Sequence, residues 1–118
     1  VKAMSMSETL YRRIRSYIKE GWQQCEVTMT EDGAHMEMAL PYPFTPPCID
    51  GPFRILFYWD AYFTNRGLLC DGEYEKAKNN LLNIIYLVNQ YGYMPNMSAY
   101  HSIDRSQPPF FGLMLHDY

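Results

Sequence analysis

The feature that most restricts the fold of this 118-residue sequence is a long amphipathic segment that ends at a glycine. Between residues 73 and 91, apolar side chains recur at helical spacing, while lysines and asparagines occupy the other faces. Gly92 follows directly, and a glycine terminates helices readily because it adopts a left-handed backbone without strain. This pattern predicts one long helix, whose apolar stripe is formed by Tyr74, Ala77, Leu81, Ile84, Ile85 and Val88.

A second helix is predicted just before it. The run of residues 53–69 is almost continuously apolar or aromatic, which favours an extended entry followed by a helix over residues 59–69. Asp71 and Gly72 then break the pattern, so the two helices are joined by a tight turn. An earlier helix is predicted to start at Ser7 as its N-cap, with an apolar stripe formed by Leu10, Ile14, Tyr17, Ile18 and Trp22.

The remaining segments are less regular. Alternating residues between 25 and 39 predict one short hairpin around residues 31–33, and four prolines between 41 and 47 predict an ordered loop. A loop of about fifteen residues, 93–107, is long enough to suggest a functional role. A last helix is expected from Pro108, with Ser106 as its cap; it is apolar on nearly every face, so we expect it to need burial on all sides by chain not included here.

Charge and composition restrict the partners. The net charge is −3, so the chain has no excess of positive charge with which to bind the phosphate groups of a nucleic acid. Nucleic acid is therefore not an expected partner. No apolar run is long enough to span a membrane, so no membrane partner is expected. Three cysteines without paired spacing, and three histidines without ligand spacing, indicate neither a metal site nor a disulfide framework.

Three polar residues are candidates for binding an oxygen-rich ligand. Asp60 lies among aromatic side chains, where a carboxylate needs hydrogen-bond partners, although capping of the local helix is the favoured explanation. Asn96 and Arg105 lie on the long loop, where an amide and a guanidinium supply donors, although Asn96 also suits a turn and Arg105 also suits pairing with Asp104. Together they favour recognition of a polyol.

Three motifs occur in order along the chain: FYWDAYFTNRGLL, YGYMPN and RSQPPFFGLM. They resemble the signatures of the trehalase family, glycoside hydrolase family 37, and of its relatives in family 63, a superfamily of six-hairpin glycosidases. The resemblance covers about residues 51–118. Residues 1–50 show only a plausible preceding helix, a possible short hairpin and a proline-rich approach, and the sequence is therefore divided at residue 50.

The resemblance implies a mainly α fold, a partial (α/α)6 toroid of helical hairpins, with residues 51–118 forming the first part of the catalytic domain. It implies hydrolysis of a glycosidic bond with inversion, no cofactor and no metal. The family's catalytic acid and base lie in later segments, so no catalytic residue is expected in this chain, which alone should be inactive. The substrate-binding residues that it implies are Trp59, Asp60, Asn96, Arg105, Ser106 and Gln107.

This sequence also departs from the family pattern. Pro52 stands where the family has a signature arginine, Ala99 replaces a second arginine, and Met97 replaces a glycine. An α-glucoside or a related disaccharide is therefore the expected ligand, without a preference for trehalose. The expected protein partner is the rest of a catalytic barrel, or a second copy through exposed apolar surface. The alternative is a noncatalytic helical module that binds a sugar or a protein.

Overall fold

The computed structural model describes residues 5–118 and is built from helices. They are α1 (Met6–Cys25), α2 (Tyr58–Cys70), α3 (Tyr74–Tyr91) and α4 (Phe111–Asp117), with one short 3-10 helix at Tyr100–Ser102. Within residues 5–118 only isolated β-bridges occur, and no strand. The predicted mainly α class is confirmed, whereas closure into a toroid stays a prediction. None of the helices in this range is long and apolar enough to cross a membrane.

The predicted helical hairpin is present as α2 and α3. Both helices begin and end within one residue of the predicted limits. The turn between them places Asp71 as the C-cap of α2 and Gly72 at a φ of 78°. At the end of α3, Gly92 is the C-cap with a φ of 80°, and its backbone N–H donates to the carbonyl of Val88. Glycine fits here because a side chain at this φ would be strained.

Helix α1 begins two residues earlier than predicted. Ser5, not Ser7, is the N-cap: its hydroxyl accepts from the backbone of Glu8, and the carboxylate of Glu8 accepts from the backbone N–H of Ser5. This reciprocal capping box satisfies two helix-end donors, which Ser7 could not do from inside the first turn. The pKa of the Glu8 carboxyl is lowered by those hydrogen bonds from Ser5.

Only the second half of α1 is docked. Trp22 lies against Gly67 of α2, and its indole Nε1 donates to Asp71 at 2.7 Å. Arg15 forms an ion pair with the same carboxylate, whose side chain is 1% exposed. Leu10 and Ile14, further toward the N-terminus, are about half exposed. The predicted apolar stripe therefore lies against the rest of the chain at one end only.

The predicted hairpin around residues 31–33 does not form. The backbone N–H of Leu40 donates to the carbonyl of Met29, as in a hairpin. Ala39 N–H, however, donates to the side-chain carboxylate of Asp32 and not to a backbone carbonyl of a facing strand. A left-handed residue, Met36 at φ 68°, also interrupts the extended conformation that a strand needs. An irregular loop results, and a separate bridge pairs Val27 with Phe44.

One hydrophobic core joins both sides of residue 50. Leu40 and Phe44 pack in the same buried cluster as Leu56, Ile84 and residues of the other helices. Core packing therefore continues across residue 50, and the division of the sequence there stays a prediction. The cluster comprises Met38, Leu40, Phe44, Leu56, Tyr58, Ala61, Leu81, Ile84, Leu87, Met94 and Met114.

Three buried asparagines on α2 and α3 connect the proline-rich loop to this helical hairpin by hydrogen bonds. Asn80 donates from Nδ2 to Asn65 at 2.8 Å and accepts from the backbone of Thr45 at 2.9 Å. Asn83 exchanges hydrogen bonds with the backbone of Tyr42, and Asn65 donates to the carbonyl of Ala77. These amides satisfy backbone groups that a loop lying against a core would otherwise leave unpaired.

Helix α4 differs from the prediction in its start. It begins at Phe111 after an N-cap at Phe110 that makes no side-chain cap, so the predicted capping role of Ser106 is wrong. Met114 is buried, whereas Leu113 and Leu115 are 50% and 55% exposed. Within residues 5–118 these two leucines are left uncovered, and their burial by further chain stays a prediction.

Candidate functional site

The long loop is anchored to the start of α2 by backbone hydrogen bonds. Tyr58 N–H donates to the carbonyl of Asn96 at 3.2 Å, and Asn96 N–H donates to the carbonyl of Arg105 at 2.9 Å. The next residue of the helix is also bound to the loop, because Trp59 N–H donates to Oε1 of Gln107 at 2.9 Å. The three sequence motifs therefore meet at one place, the N-terminus of α2.

A pocket of about 320 Å³ opens at this junction. Two of the predicted residues, Asp60 from α2 and Gln107 from the loop, line it together. Its other walls are apolar side chains and one thiol. The full lining is Pro47, Cys48, Phe53, Phe57, Asp60 and Gln107.

Asp60 is in the first turn of α2, but it does not cap the helix. The N-cap position is Phe57, and no side chain at this end makes a cap hydrogen bond from within the helix. The loop residue Gln107 instead accepts from the exposed helix donor at Trp59. The capping explanation for Asp60 is therefore wrong, and its carboxylate lies free of hydrogen bonds from side chains of residues 5–118. The helix dipole favours a negative charge at this end.

The side chains of Trp59 and Arg105 are directed elsewhere in this structure. The Trp59 indole packs against the rings of Phe63 and Phe110, with centroid separations of 6.0 and 6.4 Å. Arg105 makes two hydrogen bonds to the neighbouring Asp104, at 2.7 and 3.0 Å, in open solvent. Those hydrogen bonds lower the pKa of the Asp104 carboxyl, so the expected pairing of these two residues is present.

Two further predicted residues hold the loop in shape. The hydroxyl of Ser106 donates to the carbonyl of Met94 at 2.7 Å. The backbone carbonyl of Asn96 accepts from Tyr58 N–H at the start of α2, its N–H donates to the carbonyl of Arg105 within the loop, and the residue is half-buried. Neither side chain lines the pocket between Asp60 and Gln107.

Sequence reasoning missed the apolar lining. Pro47 and Cys48 belong to the proline-rich loop, which is brought here by the hydrogen bond between Asn80 and Thr45. Phe53 and Phe57 precede α2, and their rings lie 5.9 Å apart. The apolar and aromatic run of residues 53–69 does not by itself indicate a pocket wall, because only tertiary contacts show which of its rings face the pocket.

Among residues 5–118, no group of three histidine, cysteine or acidic side chains comes close enough to hold a metal ion. Cys25 is buried and its thiol donates to the carbonyl of Pro46. Burial raises the pKa of the Cys25 thiol, which keeps it protonated.

Comparison with known proteins gives one consistent result. A family model described as Trehalase matches residues 2–118, so the similarity extends well beyond the expected residues 51–118. A periplasmic trehalase of Xanthomonas campestris pv. campestris is 39% identical over 103 residues, which are 86% of this chain and 18% of that protein. A periplasmic trehalase of Pseudomonas aeruginosa is 36% identical over 103 residues, again 86% and 18%. A periplasmic trehalase of Shigella flexneri is 41% identical over 78 residues, 66% of this chain and 14% of that protein. The chain thus spans less than a fifth of the length of these relatives.

Proposed function

Because the chain belongs to the trehalase family, we propose that it forms the glucosyl-binding half-site of an inverting glycoside hydrolase that acts on an α-glucoside or a related disaccharide. The observation that carries this proposal is the pairing of Asp60 and Gln107 in one pocket at the start of α2. Relatives bear the name trehalase, and a carbohydrate ligand is the corresponding partner for this chain.

The chemistry of the pocket fits a sugar ring. Asp60 offers carboxylate oxygens that accept hydrogen bonds from hydroxyl groups. The Oε1 atom of Gln107 accepts from the backbone N–H of Trp59, so the Nε2 group of the same amide remains available to donate to a ligand. An acceptor and a donor side by side match two adjacent hydroxyls, and Phe53 and Phe57 supply apolar surface for the C–H face of the ring.

This half-site binds rather than cleaves. Inverting hydrolysis uses two carboxyl groups about 6.5 to 9.5 Å apart, with a water molecule between one of them and the sugar. The lining of this pocket contains one carboxylate, Asp60. The acid and base then come from other segments of a complete enzyme, and the 118-residue chain alone is inactive in this proposal.

The other predicted residues contribute in different ways. Asn96 and Ser106 position Gln107 through the hydrogen bonds of the loop. Arg105 is exposed beside the same loop, and in the complete site it turns from Asp104 to a sugar hydroxyl. Trp59 holds Gln107 through its backbone N–H, and in the complete site its indole turns from Phe63 and Phe110 to stack on the bound ring. Pro52 in place of an arginine removes a donor from this region, so the proposal names an α-glucoside or a related disaccharide and not trehalose alone.

The test is an NMR titration of the full chain with methyl α-D-glucopyranoside. We expect a dissociation constant of about 1 mM, with shifts at the Gln107 side-chain amide and the Trp59 backbone amide. The indole N–H of Trp22, bound to Asp71, serves as an internal reporter that should not move.

The matched variants are Asp60→Asn and Asp50→Asn. Both remove one negative charge, but Asp50 is exposed and lies outside the pocket. Asp60→Asn should weaken binding by at least about tenfold, and Asp50→Asn should bind as the wild type does. Equal affinity in both variants, or no shift at Gln107 at saturating sugar, overturns the proposal.

A further inference from the structure

Two of the three cysteines come together where α1 meets the proline-rich loop. The thiol of Cys25, the last residue of α1, donates to the carbonyl of Pro46 at 3.0 Å and to the carbonyl of Cys48 at 3.3 Å. Both cysteines line one groove of about 370 Å³ between α1, this loop and α2. The third, Cys70, is exposed at the end of α2 and lines a different pocket. The fold therefore selects one pair of thiols, which their spacing in the sequence does not reveal.

The contact between Cys25 and Cys48 puts their sulfurs within reach of one another. Bridged cysteines have Cα atoms about 4.4 to 6.8 Å apart and an S–S bond of about 2.05 Å. Because Sγ of Cys25 already lies against the main chain of Cys48, the change that remains is a rotation of the Cys48 side chain with an adjustment of the loop. The two thiols also interact electrostatically. Burial raises the pKa of the Cys25 thiol most, and the nearby Cys48 raises it further.

The two thiols differ in exposure, and this difference sets the order of their chemistry. Cys48 is half-buried, whereas Cys25 is 5% exposed. Thiol–disulfide exchange begins at a thiolate that a small disulfide can reach, and a second thiolate completes it by attacking the mixed disulfide. Cys48 suits the first step and Cys25 the second. The guanidinium of Arg54, which donates to the carbonyl of Ile49, acts against burial by lowering the pKa of the Cys25 thiol, which favours the thiolate for that second attack.

We propose that Cys25 and Cys48 form a reversible disulfide that joins α1 covalently to the proline-rich loop. The Cys48 thiolate attacks a small organic disulfide such as oxidised glutathione, which leaves a mixed disulfide on Cys48 and releases one glutathione thiolate. The Cys25 thiolate then attacks the Cys48 sulfur and releases the second glutathione thiolate. The protein gives up two electrons and two protons, and oxidised glutathione is reduced to two molecules of glutathione.

The bond adds a covalent anchor at the docked end of α1. Trp22 already attaches this half of the helix to Asp71 by a hydrogen bond. A link between Cys25 and Cys48, which are 23 positions apart, restricts the unfolded chain and so stabilises the folded one. Cys48 also lines the pocket that contains Asp60, so the same bond restrains one wall of that pocket. Formation of the bond does not depend on sugar binding.

Mass spectrometry of the full chain after treatment with oxidised glutathione tests the pairing. Remaining thiols are alkylated, and cleavage after glutamate, lysine and arginine then places the three cysteines in separate peptides, which are 21–26, 38–54 and 67–73. We expect peptide 21–26 linked to peptide 38–54, with Cys70 alkylated or carrying glutathione.

The matched control is the same chain treated in concentrated urea. Cys48 is almost equally distant along the sequence from Cys25 and from Cys70, so an unfolded chain should link it to both in similar amounts. Only the folded chain should favour Cys25, and we expect a preference of at least about tenfold.

Variants separate the two steps and measure the effect of the bond. Cys48→Ser should leave Cys25 free of glutathione, because the accessible thiol is lost, whereas Cys70→Ser should form the same link as the wild type. In the Cys70→Ser chain, oxidation should raise the urea midpoint of unfolding by about 1 to 2 M. Reduction with dithiothreitol should restore the original midpoint.

The contrary results are equally specific. The proposal is overturned if the folded chain links Cys48 to Cys70 as readily as to Cys25, or if Cys48 keeps its glutathione while Cys25 is alkylated. A midpoint that does not rise on oxidation would also overturn it, because the bond would then not fit the folded chain.

Discussion

The buried amide of Asn80 offers a sharp test of how the pocket is built. Asn80 is fully buried, accepts from the backbone of Thr45 and donates to Asn65. Asn80→Ala leaves the Thr45 N–H and the Asn65 carbonyl oxygen without partners in the core. Each unsatisfied buried group costs about 1 to 3 kcal/mol. Allowing for partial relaxation, we expect the free energy of unfolding to fall by about 2 to 4 kcal/mol.

Urea unfolding followed by circular dichroism measures this loss. With a slope of about 2 kcal/mol per molar urea, the midpoint should fall by about 1 to 2 M. The control is Asn89→Ala on the exposed face of the same helix, which should change stability by less than about 0.5 kcal/mol. An Asn80→Ala midpoint equal to that of the control would refute the role of this network in fixing the proline-rich loop.

Three further predictions concern other parts of the chain. Asp71→Ala removes the acceptor of an ion pair and an indole hydrogen bond, and denaturant unfolding should show a loss of about 1 to 3 kcal/mol; an unchanged midpoint would mean that α1 is not held there. Alkylation by iodoacetamide at pH 8, followed by mass spectrometry, should label the exposed Cys70 first and Cys25 last, because burial raises the pKa of Cys25 and leaves less thiolate; equal rates would contradict this. Gly92→Ala forces a side chain into a left-handed conformation and should destabilise by about 1 kcal/mol, whereas Gly112→Ala, in open space within α4, should not destabilise; a loss of equal size in both would refute the conformational explanation.

The helical hairpin could be predicted because its signals are local. Apolar periodicity defines α3, and the glycines at 72 and 92 mark the ends of the two helices, both with positive φ in the structure. The N-cap predicted for α1, Ser7, lies two residues after the observed one, Ser5. Both serines suit an N-cap, but only Ser5 has Glu8 three positions later to complete the capping box. Signals close together in the sequence therefore predict the helices themselves, whereas the choice between neighbouring cap residues shifts their predicted ends by one or two residues.

The irregular region between α1 and α2 could not be predicted in the same way. Its course depends on side-chain hydrogen bonds over long sequence separations, such as Asn80 to Thr45 and Tyr100 to Asp32. For the same reason, Asp60 was assigned to capping, whereas the acceptor at the helix end comes from Gln107, 48 residues from the donor at Trp59. Motif resemblance identified both residues, but only the fold shows that they share a pocket.

The central claim is tested most directly by a crystal structure of the chain with methyl α-D-glucopyranoside. The account predicts the glucosyl ring at the start of α2, with adjacent hydroxyls within hydrogen-bond distance of the Asp60 carboxylate and the Gln107 Nε2. A ring bound at another surface, with both of these side chains facing only water, would contradict it.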